Sequence, residues 1–165
     1  MRKGSLFCVV TTLFTLQSMA TPMSTSEAQI RELVEKFRVS IINKDKEAFS
    51  SLFFDEDVPF IAVFSKEMLD KKRAHKPNYP SVVDFGKFGP PVTMLEGEEP
   101  QEEKMWNIKV QTDGYLGSVH FDYSDHESGI KKAWGTESWS LVKVGADWKI
   151  TSVSFTVTEI ENAQK

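Results

Sequence analysis

Gly135-Thr136-Glu137-Ser138-Trp139-Ser140-Leu141-Val142, followed after a Gly145-Ala146-Asp147 turn by Trp148-Lys149-Ile150, is the stretch that decides the fold. Gly135, Glu137, Trp139 and Leu141 share one parity, and Thr136, Ser138 and Ser140 the other. A period of two with one polar side is the signature of a half-buried strand. The short turn then returns the chain as an antiparallel neighbour. In that last strand, Trp148 to Val157, Trp148 and Ile150 share one parity while Val153, Phe155 and Val157 share the other. An extra residue between the two groups, a bulge that bends the strand, reconciles them.

Working upstream, the pattern repeats. Trp106, Ile108 and Val110 alternate up to a turn at Thr112-Asp113-Gly114, and Tyr115, Gly117, Val119, Phe121 and Tyr123 alternate after it. Ser124 to Gly129 reads as a polar turn, and Lys132 to Val144 as the strand that carries the opening stretch. Ahead of the strands lie helices. Ser24-Thr25-Ser26-Glu27 is a capping box, and Ile30, Leu33, Val34, Phe37 and Ile41 mark one helical face ending near Asn43-Lys44. Asp45 caps a shorter helix through Ala48, Phe49, Leu52 and Phe53. Val58 to Phe64 reads as a first strand with Pro59 at its entry.

Ser65 to Glu103 is irregular and broken by Pro77, Pro80, Pro90, Pro91 and Pro100. A helical turn is expected at Lys66 to Asp70, and short strands at Ser81 to Phe85 and Val92 to Leu95. The segment is basic early and acidic late; Glu96, Glu98, Glu99, Glu102 and Glu103 read as a solvated loop face. Helices first and long antiparallel strands after make an α+β domain: a cone-shaped, strongly bent antiparallel sheet with N-terminal helices packed across its concave face.

Asp113-Gly114, Val119-His120-Phe121-Asp122-Tyr123, the Gly-x-Glu-x-Trp-x-Leu-Val stretch at 135–142 and Asp147-Trp148-Lys149-Ile150 resemble the nuclear transport factor 2-like (SnoaL-like) superfamily, in particular its small bacterial members. The resemblance covers roughly Glu27 to Thr158. It implies a sheet wrapped around a pocket and, often, a homodimer packed sheet to sheet. Members include isomerases, dehydratases, cyclases and epoxide hydrolases acting on apolar ring compounds, and others that only bind ligands or partner proteins. The catalytic sets of those enzymes have no clear match at corresponding positions here.

The N-terminus has the three parts of a secretory signal: Arg2-Lys3, an apolar run from Leu6 to Leu16, and small residues at Ser18 and Ala20. The run is too short for a membrane span, which needs about 20 residues. Residues 1–20 are expected to be cleaved, leaving residues 21–165 as a single domain that begins at Thr21 and is exported to the periplasm or the medium. Cleavage removes the only cysteine, Cys8, and takes the net charge from −4 to −6. An acidic domain without a basic run is a poor nucleic-acid binder. After cleavage no membrane attachment is expected, and nothing in the spacing of His75, His120 and His126 suggests a metal site. No cofactor motif is present, and none is expected.

Candidates for chemistry are few. Glu137 lies amid apolar neighbours, where a carboxyl gains a raised pKa and can serve as acid or base; a cross-strand pair with Lys109 or Lys149 is the plainer use of it. His120 and Asp122 lie on the polar parity and form a second acid–base candidate if that parity faces inward. Tyr115, Trp134, Trp139 and Tyr79 are candidates to line an apolar pocket. The expected function is a non-catalytic binding module, a homodimer, that holds a small apolar ligand or a partner protein. An isomerase- or dehydratase-type enzyme using Glu137 or the His120/Asp122 pair is the alternative, and an accessory domain with a filled cone is a third. A pocket with a buried, unpaired carboxylate favours the enzyme.

Overall fold

The computed structural model describes residues 25–160. The signal segment, Thr21 and Cys8 lie outside the described residues. Helix α1 spans Thr25–Asn43 and buries Ile30, Leu33, Val34, Phe37 and Ile41, the face marked by the 3–4 residue spacing. Its solvent side carries Glu27–Arg31 and Glu32–Lys36 pairs one turn apart, each worth a few tenths of a kcal/mol. Helix α2, Lys46–Ser50, starts where the Asp45 carboxylate accepts the Ala48 N–H. Strand β1 is Phe60–Phe64, and α3 is Lys66–His75, capped by Ser65. The helical turn expected at 66–70 thus runs five residues further, to His75, braced by Lys66–Asp70 and Glu67–Lys71 pairs.

Strand β2, Val82–Asp84, falls within the expected 81–85 segment. Val92–Leu95, by contrast, lies in a 3₁₀ turn, Pro91–Leu95. Pro91 explains the difference: it has no N–H for a ladder, and its fixed φ suits the first position of a helical turn. Four long strands follow: β3 Gln101–Thr112, β4 Leu116–Glu127, β5 Ile130–Val144 and β6 Asp147–Glu159. The polar turn expected at Ser124–Gly129 contracts to Ser128 and Gly129, both at positive φ. Glu102 and Glu103, read as part of a solvated loop face, pair in β3 with His126 and Asp125. Polar composition signals turns only where no neighbouring strand takes the backbone, and here β3 does.

The sheet order is β2-β1-β6-β5-β4-β3. All pairings are antiparallel except β1 on β6, which is parallel. Three register shifts bend it. Between Ser140↔Ser152 and Leu141↔Ile150, Thr151 is extra in β6, and this is the bulge implied by the parity switch. One more residue is inserted in β3 between Trp106 and Lys109, and another, Lys132, in β5 opposite Asp125/His126. The helices cover the inner face. Phe37 of α1 lies 4.9 Å from Phe49 and 4.7 Å from Trp139, which meets Phe121 edge-on at 5.2 Å. Gly135 is required by close approach: a Cβ there would stand 1.9 Å from the Thr156 carbonyl oxygen.

Candidate functional site

The inner face of the sheet carries Val119, Phe121, Tyr123 and Asp125 on β4, with Ala133, Gly135, Glu137 and Trp139 opposite on β5. Because the apolar parity faces the helices, His120 and Asp122 lie on the outer face. There His120 Nδ1 is 2.7 Å from Ser138 Oγ, and the Asp122 carboxylate accepts from the Asn107 amide at 2.7 Å. They border a shallow outer groove and do not meet Glu137.

Glu137 is inside, 4% exposed, and its partner is not a lysine. The Trp139 indole N–H donates to its Oε1 at 2.5 Å. Burial raises Glu137 from the usual 4.5 to about 8, the indole opposes the rise, and the charge of Asp125 adds to it. Trp139 itself is packed into the core. Of the other aromatic candidates, Tyr115 is 78% exposed at the β3–β4 turn. Trp134 is exposed on the outer face beneath Lys131. Tyr79 packs at a tilt against Phe64, ring centroids 5.4 Å apart, with Lys72 and Lys76 above it. The structure does not bring these four together.

What it brings together was hidden by the expected loop and turn. Glu103 on β3 stands directly opposite Asp125 on β4, at a separation where paired Cβ atoms are about 5 Å apart. Both line a pocket of ≈ 220 Å³ bounded by Ile41 at the tail of α1, Met94 and Leu95 of the 3₁₀ turn, Gln101 and His126. The bulge at Lys132 twists the strand ends so that Asp125, His126 and Glu127 all border this space. Glu103 is 3% exposed. Its Oε1, the Gln101 Oε1 and the His126 Nδ1 are buried without a hydrogen-bond partner. Burial, then the charges of Glu137 and Asp125, push the Glu103 carboxyl well above the usual range; burial alone lifts Asp125 from 3.8 to about 6. Lys132, which also borders the pocket, pairs with Glu127 at 3.5 Å. The Tyr123 hydroxyl, next to this cluster, donates to the Thr156 carbonyl at 2.9 Å.

Chemically, the pocket presents hydrogen-bond acceptors and protons held at unusual affinity. Burial biases the Glu103 and Glu137 carboxyls toward the protonated form, Glu137 at about 8, while Asp125, at about 6, ionises more readily. Among the described residues no three His, Cys, Asp or Glu side chains are arranged to hold a metal ion. No helix there is long and apolar enough to cross a membrane.

No family model matches the chain, and no curated protein does. Solved structures do. An NTF2-like protein with a cystatin-like fold from Novosphingobium aromaticivorans matches at a TM-score of 0.58 and 14% identity, over 84% of this chain and 85% of that one. An NTF2-like protein of unknown function from Pseudomonas putida matches at 0.59 and 12%, over 87% and 95%. A candidate scytalone dehydratase from N. aromaticivorans matches at 0.55 and 16%, over 79% and 83%. At these identities the likeness establishes the fold.

Proposed function

We propose that this chain, with its NTF2-like, cystatin-like fold, holds a small molecule in the pocket between the tail of α1 and the start of β3. The observation that carries the reading is the Glu103 carboxyl, buried at the pocket wall with Oε1 unpaired. Leaving a buried polar atom unsatisfied costs about 1–3 kcal/mol, and the three residues that hold such atoms all line one cavity. A bound donor removes that cost. The Ile41, Met94 and Leu95 side supplies an apolar wall, the usual combination in small-molecule sites.

Acid–base catalysis of the isomerase or dehydratase kind is the second reading. It is supported by carboxyls in one cluster with affinities driven apart, Asp125 at about 6 and Glu137 at about 8, and by the likeness to a candidate dehydratase. In it Asp125 takes the proton and Glu103 delivers one, in place of Glu137 or the His120/Asp122 pair. The buried, unpaired Glu103 carboxyl at the pocket also counts toward it; it stands second because the two strongest donors near the cluster are committed, Tyr123 to Thr156 and Trp139 to Glu137. Neither is free to stabilise a developing oxyanion. The same proposal has the domain exported after loss of residues 1–20 and paired as a homodimer. The tripartite N-terminus supports the first, and Trp106 and Trp134, exposed on the outer sheet face, support the second.

Native mass spectrometry of the purified protein, alone and after exposure to a small-molecule library, tests binding. A one-to-one adduct that Glu103→Leu loses is expected. Binding that survives Glu103→Leu unchanged would place the ligand elsewhere and end the reading.

A further inference from the structure

The unpaired atoms in the pocket are not a random selection of polar groups. Gln101 presents Oε1 and Glu103 presents Oε1, both acceptors. His126 Nε2 is 3.0 Å from Ser124 Oγ; with Nε2–H donating to that hydroxyl, the unpaired Nδ1 keeps its lone pair and is an acceptor too. Gln101, Glu103 and His126 thus each line the cavity and hold an unpaired atom buried beneath its wall, an acceptor in Gln101 and Glu103 and, in that tautomer, in His126; Asp125 adds an anionic group. Glu102 and Glu127 at the rim are acidic as well, and the one basic side chain lining the pocket, Lys132, pairs with Glu127.

Resting on the binding reading above, we infer that the ligand is an organic cation whose primary ammonium group enters this pocket. An ammonium has three N–H donors and no acceptor, which matches a wall whose unpaired atoms in Gln101 and Glu103 are acceptors. A carbonyl ligand would accept at most the proton of the Glu103 carboxyl and would leave the other two acceptors empty. A carboxylate ligand would set a second negative charge against Asp125 and bring no donor. The body of the ligand is apolar. Met94 also lines a neighbouring cleft of ≈ 310 Å³ walled by Phe60, Phe85, Phe88 and Phe155, and Phe88 there is 79% exposed. An amine seated against Glu103 projects its apolar part past Met94 toward those rings.

The test uses three probes of one shape, benzylamine, benzyl alcohol and benzoate, titrated calorimetrically into the purified protein at neutral pH. Benzylamine is expected to bind at least about tenfold more tightly than benzyl alcohol, as a charge-assisted hydrogen bond implies, with benzoate weakest. Asp125→Asn, which removes the anionic group of the wall, is expected to remove about that tenfold advantage while leaving benzyl alcohol within about twofold. Glu103→Leu, which removes an acceptor, repeats the measurement should Asp125→Asn not fold. Benzyl alcohol or benzoate binding as well as the amine would overturn the cation assignment and leave the binding site standing. No binding by any probe, with no adduct from the wider library, would overturn both.

Discussion

Replacing Glu137 by Gln is the perturbation whose consequence can be worked furthest. The folded protein holds this carboxyl at about 8, against 4.5 for the free group, because it is buried and faces Asp125. At roughly 1.4 kcal/mol per pH unit, that displacement amounts to about 5 kcal/mol when fully expressed. Because Glu137 titrates together with its carboxyl neighbours, and local relaxation lets water in, an observed effect of about 2–5 kcal/mol is expected. The sign follows from the direction. A carboxyl whose folded pKa lies above its unfolded one imposes no penalty below pH 4.5, where both states are protonated. Stability is lost as pH rises from 4.5 to about 8, since the unfolded chain releases a proton that the folded one keeps. Glu103 and Asp125 act in the same direction. The parent should therefore be most stable on the acid side of neutrality and weaken toward pH 9. Glu137→Gln keeps an amide oxygen for the Trp139 indole but cannot ionise, so it should match the parent near pH 4.5 and exceed it by about 2–5 kcal/mol at pH 9. Urea midpoints at pH 4.5, 6.5 and 9 for both proteins give the comparison. A parent curve that is flat or rises from pH 5 to 8.5, or a Gln variant that parallels it, would refute the account of Glu137 as a buried, proton-bearing acid.

Two further outcomes are expected. Gly135→Ala would drive a methyl into the Thr156 carbonyl and break the bonds that converge on that residue from Tyr123 and Thr136; a loss of about 3 kcal/mol, or failure to fold, should be seen by thermal denaturation, and an unaltered melting temperature would contradict the placement of β5 against β6. His120→Ala should change stability by less than about 0.5 kcal/mol and leave ligand binding unchanged, since the ring lies on the outer face against Ser138; lost binding, measured by the same calorimetry, would mean the outer groove takes part.

The elements legible in the sequence were those in which burial and pattern agree. The 3–4 spacing of Ile30, Leu33, Val34, Phe37 and Ile41 and the alternation through Trp139 and Leu141 predict the buried residues because one face of each element meets the core. The Thr151 bulge was legible for the same reason: an extra residue leaves a visible slip in parity. Glu103 and Asp125 carried no such mark. Glu103 sits at the end of an acidic run and Asp125 inside Ser-Asp-His-Glu, both compositions typical of solvated segments. A signal was present at Asp125, which shares parity with Tyr123 one same-face step beyond where that strand was taken to end; Glu103 lies three residues ahead of Trp106, where β3 was taken to begin, and on the other parity from Trp106, Ile108 and Val110.

The opening stretch, Gly135 to Val142, determined by itself that a half-buried strand exists, that it turns back at Gly145, and which of its sides is apolar, because period-two alternation is written residue by residue. It also placed Glu137 among apolar neighbours. Which face of the sheet the helices cover, and therefore that Glu137 is inside while His120 and Asp122 are outside, was decided only by tertiary packing. So was the meeting of Glu103 with Asp125, 22 positions apart in the chain. Strand register sets that encounter, and register depends on long-range pairing and on bulges such as the one at Lys132, whose energies are shared among strands and written in none of them alone.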